Sequence, residues 1–152
     1  MKYRALSVCQ PYADWLTKPS YKDAEGNWKG AKEIEVRSWK TNYRGDILIC
    51  STAKPIIPTH ESGIICGLVE LYEVKPIEQL TEAEWAQTMI PESERGNWKG
   101  CFAWFVKNPR RVVEFPIKGK QGLFSVDMEI TEYPRELYLG DKGWEKIKKQ
   151  IR

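Results

Sequence analysis

Short β-branched and apolar runs, each cut off by glycine, proline or a polar turn, constrain this chain more than any other feature: 11 glycines and 9 prolines punctuate 152 residues. Strand-like patterns occupy 3–8, 33–39, 46–51, 63–74 and 101–107, and two shorter ones, interrupted by Gly and Pro, occupy 112–115 and 122–126. Helical patterns are few. One covers 11–17, with Pro11 near its first turn. A second covers 81–89, where Thr81 and Glu84 have the spacing of a capping box. A third covers 142–151, amphipathic through Trp144, Ile147 and Ile151. Many short strands with few helices predict an α+β, mainly β chain: a small, partly open β-barrel with short flanking helices. The strands at 33–39 and 46–51 are expected to pair as a hairpin through 40–45. Residues 20–29 read as an exposed loop, a flap with Trp28 at its tip, and 53–62, with Pro55 and Pro58, as irregular.

Within 33–39 the alternation carries chemistry. Ile34 and Val36 share one parity, while Glu35, Arg37 and Trp39 share the other, so a strand sends two charges and an indole to one face. Glu35 and Arg37 are close enough to pair, and Lys32, just before the alternation, is free to turn into a neighbouring groove. Such a face suits a polar, flat ligand. The same spacing also occurs on solvated strands with surface ion pairs.

With 41% hydrophobic residues the chain can form one domain over 1–152, which would bury roughly two-thirds of its unfolded surface. A formal net charge of +3 gives only mild global attraction to nucleic acid, so binding depends on where cations are placed. Lys107 to Arg111 and Lys118-Gly119-Lys120 are candidate phosphate ligands, and the segment 141–152 is itself basic. Among the seven tryptophans, Trp15, Trp104 and Trp144 read as packing residues, and Trp28, Trp39 and Trp98 as candidates for base stacking. Cys9, Cys50, Cys66 and Cys101 are widely spaced, and reduced, largely buried thiols are expected. His60 is the only histidine and no C-x-x-C occurs, so the reading includes no metal and no cofactor. No apolar stretch reaches the ~20 residues of a membrane span, and no signal-like core follows Met1, which predicts a soluble, cytoplasmic protein.

Longer stretches carry a resemblance. Leu6-Ser7-Val8-Cys9-Gln10-Pro11-Tyr12-Ala13-Asp14-Trp15-Leu16 is followed by Gly30, Lys32, Glu35, Arg37, Ser38 and Trp39, then Arg44-Gly45 and Ile47-Leu48-Ile49. These are similar to the ASCH family. Cys66-Gly67-Leu68-Val69-Glu70-Leu71, Trp104 to Pro109 and Val113 to Gly119 resemble its transcription-coactivator branch. The similarity spans residues 4–127. It implies a PUA-like fold with a ligand cleft between the first helix and the G-x-K strand. Gln10, Pro11 and Tyr12 would line one side, and Lys32, Glu35 and Arg37 the other, with Ser38, Trp39 and Arg44 nearby. It further implies binding of nucleic acid, RNA or single-stranded DNA, or of a nucleotide.

A small hydrolase is the alternative, acting on RNA as a ribonuclease or on a modified nucleoside as an N4-acetylcytidine amidohydrolase. Lys32 would then be base or nucleophile and Glu70 would handle a proton, with Glu35 a further catalytic candidate. The amidohydrolase branch usually carries Thr where this chain has Glu35. Glu70, flanked by Val69 and Leu71, reads equally as a cleft carboxylate or as an outward edge residue. Ser125 reads as a strand hydroxyl. A cleft that holds a protein partner is the third reading.

Overall fold

The computed structural model describes residues 1–135, so the helix expected at 142–151 lies outside the described residues. In chain order the elements are β1 (Lys2–Val8), α1 (Tyr12–Thr17), β2 (Tyr21–Lys22), β3 (Trp28–Lys29), β4 (Ile34–Arg37), β5 (Gly45–Ser51), β6 (Ile65–Pro76), α2 (Glu82–Gln87), β7 (Phe102–Arg111) and β8 (Phe124–Asp127). Two 3-10 segments, Ile77–Gln79 and Glu92–Trp98, flank α2. Six strands form one mixed sheet in the order β4-β7-β6-β5-β1-β8, and β2 and β3 form a separate hairpin.

The long strands make the sheet curl. β6 shifts register against β7 between Leu68 and Glu70 and again between Leu71 and Glu73, and such bulges bend a strand and increase its twist. The curl shows in one bond: Arg37 Nη2 on β4 donates to the Ser7 carbonyl on β1 at 2.7 Å. Those strands are four places apart in the sheet order, about 19 Å in a flat sheet. The sheet is thus partly closed on itself, as the strand pattern predicts. Leu6, Val8, Ile47, Ile49, Leu71 and Trp104 fill the interior, and Ala13 and Leu16 of α1 pack on the same cluster, so α1 plugs one end.

Strands β4 and β5 do not form the expected hairpin. β4 pairs antiparallel with β7, and β5 lies between β6 and β1, parallel to the latter. Separate cores claim the two strands: Ile34 and Val36 pack with Ile77, Ala103 and Phe105, whereas Ile47 and Ile49 join the interior cluster. The strand expected at 101–107 continues to Arg111, and the one expected at 112–115 reduces to an isolated bridge at Val112. The segment 20–29, expected as an exposed loop, is largely exposed but forms the β2–β3 hairpin. Trp28 lies half-buried in β3 with Lys22 Nζ 5.1 Å from its ring, and the tip is the turn at 23–27, where Asp23 Oδ1 accepts the amides of Glu25 and Asn27.

Helix α2 starts as the capping box predicts. Thr81 Oγ1 accepts the Glu84 amide at 3.1 Å, and the Glu84 carboxylate accepts the Thr81 amide at 3.0 Å. A six-residue helix has little stability of its own, so Thr81→Ala should cost about 1 kcal/mol, read as a shift in urea midpoint without a change in slope. Two of the four free cysteines, Cys50 and Cys66, are buried. Burial pushes their thiols up, to about 12 and about 11, which leaves them inert toward alkylation at neutral pH.

Candidate functional site

The glycine of the G-x-K spacing sets the site. A Cβ at Gly30 would lie 2.6 Å from the Trp15 carbonyl oxygen and 3.1 Å from that of Leu16, so the chain passes against the carbonyl end of α1 as only glycine allows. Two residues on, the Lys32 amide donates to the same Trp15 carbonyl at 3.1 Å. This fastening turns the Lys32 side chain inward. It is 4% exposed, its Nζ donates to the Thr88 carbonyl at 2.6 Å, and it lies 3.4 Å from Glu35 Oε1 and 5.3 Å from the centre of the Tyr12 ring.

Glu35 joins Lys32 to Arg37. Its Oε2 accepts from Arg37 Nε at 3.0 Å and Nη2 at 2.8 Å, the side-on pairing that the strand alternation predicts. Since Nη2 also serves the Ser7 carbonyl, the Nη1 group is left with no acceptor among the described residues. The row of two cations and one carboxylate carries a net +1 and retains charged donor capacity for a ligand.

These groups line a cleft of about 590 Å³ between the end of β1, β4 and the stretch from Thr88 to Trp98. Ser38 and Trp39 continue the β4 wall, Tyr12 closes the side toward α1, and Trp98, packed on the cluster that holds Ile34 and Phe105, lines the cleft with Ile90 and Glu94. Trp39 is held edge-on against Trp104, ring centres 4.7 Å apart, and its carbonyl accepts the Trp104 indole N–H at 3.2 Å. The cleft therefore offers charged donors and two partly buried indoles. Tyr12, Lys32, Glu35, Arg37, Ser38 and Trp39 are brought together in one cleft.

Other sequence candidates are placed elsewhere. Gln10 is buried at 1% exposure, where its Nε2 donates to the Glu61 carbonyl and its Oε1 accepts the Asp14 amide, so it fastens the 53–62 loop to α1. Pro11 precedes α1 without lining the cleft, and Arg44 is exposed, donating to the carbonyls of Thr41 and Tyr43. Glu70 faces away from the cleft. It sits in register with Asp46 and Lys107 and accepts from Asn108 Nδ2 at 3.0 Å. The β2–β3 hairpin is no flap over the cleft: Tyr21 and Lys29 tie it to Glu33, and Lys29 also reaches Tyr72. Ser125 is an exposed hydroxyl on β8, as expected.

Sequence reasoning missed Cys9, Thr88 and Glu94, all of which line the cleft. Thr88 contributes a backbone carbonyl, which no side-chain pattern encodes. Among the described residues no cluster of His, Cys, Asp or Glu is arranged to hold a metal ion, and no helix is long and apolar enough to cross a membrane.

The curled, mainly β sheet plugged by a short helix, with a charged cleft between the end of β1, β4 and the stretch from Thr88 to Trp98, is the PUA-like fold of the ASCH structures it resembles. The chain belongs to the ASCH domain family, whose model matches residues 27–116. It is 28% identical over 150 residues to human (Homo sapiens) Activating signal cointegrator 1 and 27% identical to the mouse (Mus musculus) protein. Each match covers 84% of this chain and 23% of the relative, so the chain spans about a quarter of the length of these curated relatives. Two mutant forms of ZmASCH from Zymomonas mobilis share the fold, each with a TM-score of 0.59 at 12% identity. They cover 97% and 98% of this chain and 95% and 98% of their own.

Proposed function

We propose that this chain is a nucleic-acid-binding ASCH domain that takes an unpaired base or nucleotide of RNA or another single strand into the cleft. The observation that carries the reading is the open Nη1 of Arg37 on a floor whose Lys32, Glu35 and Arg37 are locked together, with the indoles of Trp39 and Trp98 in the same cleft. Guanidinium donors suit phosphate or base oxygens, and indoles accept unpaired bases of any sequence. The similarity to a cointegrator supports binding over chemistry. Arg37→Gln should weaken binding of a short single-stranded RNA about tenfold and lower the slope of log K against log salt by about one, measured by fluorescence anisotropy. Unchanged affinity and slope would sink the assignment of Arg37.

A hydrolase is the second reading, favoured by one observation: Lys32 and Glu35 form a cation–carboxylate pair almost out of water on the cleft floor. With Glu70 outside, Glu35 would be the proton partner. Incubating the protein with N4-acetylcytidine and with single-stranded RNA separates the readings. For a hydrolase, product forms and Lys32→Ala lowers turnover on the order of a hundredfold or more. For a binder, no product forms and Lys32→Ala only lowers affinity.

A further inference from the structure

The two basic clusters of the sequence part company in the fold. Arg110 is 9% exposed and held by Asp46, and Arg111 is 4% exposed and held by Asp14, so their charges are engaged internally. The Lys118-Gly119-Lys120 loop differs. Lys118, Gly119 and Lys120 are exposed, and no acceptor is found for the backbone amides from Lys118 to Gln121 among the described residues. The loop is docked on the cleft wall: Ser7 Oγ donates to the Lys120 carbonyl at 3.3 Å, and a Cβ on Gly119 would come within 2.3 Å of that Oγ. Ser7 is at once a lining residue and, through its carbonyl, the acceptor for Arg37 Nη2. One serine thus couples the cleft floor to a loop with two exposed cations and open amides, a combination suited to an anion.

We infer that this loop is the phosphate-holding rim of the cleft, so that the ligand is a phosphorylated nucleotide unit, free or within a strand, rather than a nucleoside. The inference rests on the proposed nucleic-acid reading and adds the ligand's chemical class and its direction across the site. A base would lie toward Trp39 and Trp98, and its phosphate toward Lys118 and Lys120, on the β1 side.

The test uses the full chain and three probes: cytidine, cytidine 5′-monophosphate and a 5′-labelled single-stranded hexanucleotide RNA. Binding is followed by quenching of tryptophan fluorescence, and for the RNA also by anisotropy, in the parent and in Lys118→Gln/Lys120→Gln. These side chains are exposed, so the variant should fold as the parent does. The parent should bind the monophosphate at least tenfold more tightly than the nucleoside at low salt. The variant should lose that preference, leave the cytidine affinity unchanged and reduce the RNA salt slope by about one to two units, since each lysine that no longer neutralises a phosphate removes about one. If nucleoside and monophosphate bind the parent equally, or the variant retains the parent's RNA affinity and slope, the rim assignment is overturned while the cleft reading stands. If no probe binds the parent, the nucleic-acid reading falls and takes the rim with it.

Discussion

Asp14→Asn is expected to destabilise the fold by about 3 kcal/mol at neutral pH, because it breaks a buried charge pair from one side. Asp14 Oδ1 accepts from Arg111 Nη1 at 2.6 Å and Oδ2 faces His60 Nδ1 at 2.7 Å, while Arg111 Nη1 also donates to Thr17 Oγ1 at 3.0 Å. Asparagine keeps the shape but leaves a guanidinium that is 4% exposed without its nearest anion. Glu114 also interacts with that cation, which places the cost at the lower end of the range for such breaks. The same substitution removes the charge that faces His60, while Gln10 still holds the 53–62 loop to α1.

The effect carries a pH signature of definite sign. Burial alone would raise the Asp14 carboxyl, but the Arg111 charge and the hydrogen bonds from Arg111, His60 and Gln10 outweigh it and hold the group below its ordinary 3.8. A folded value below the unfolded one contributes stability that is present above pH 3.8 and lost as pH falls through the folded value. The gap between parent and Asp14→Asn, taken from urea unfolding at neutral pH and at successive steps into acid, should therefore narrow as acid is added. A gap that stays constant, or widens, would show that Asp14 is not ionised against Arg111 in the folded protein.

The parts legible in the sequence are those encoded within a few residues. The alternation through β4 places Ile34 and Val36 inside and brings Glu35 and Arg37 together, as the period of two requires. Thr81 and Glu84 signal the start of α2 by the same local logic. The differences share another cause. Glu70 and Gln10 are candidates for the cleft because of their neighbours in sequence, yet Glu70 is held by Asn108 and Gln10 by the Glu61 carbonyl, 38 and 51 positions away. Arg110 and Arg111 look like phosphate ligands until Asp46 and Asp14 are found beside them. The β4–β7 pairing depends on the later strands, whose apolar faces outcompete a short hairpin. A local pattern gives the face of a strand, whereas the partner of that face is fixed by long-range packing.

Gly30→Ala joins the two levels, since the motif's glycine is needed for close approach rather than for chemistry. The added methyl would meet two main-chain carbonyl oxygens, at 2.6 and 3.1 Å, and neither can rotate away as a side chain would. The strand entry must therefore lift off α1, at a cost of about 2 kcal/mol typical of overpacking. The lift strains the bond from the Lys32 amide to the Trp15 carbonyl and withdraws Lys32 from Thr88 and Glu35, so RNA affinity in the folded fraction should fall together with stability. Gly96 serves as the control, because a Cβ there meets nothing within 4 Å, and Gly96→Ala should stay within about 0.5 kcal/mol of the parent. Urea unfolding and RNA titration of both variants decide the matter. A stable Gly30→Ala would show that the close approach to α1 is dispensable. A destabilised variant that still binds RNA with parental affinity would show that the glycine serves the fold alone, and that Lys32 reaches its place in the cleft without it.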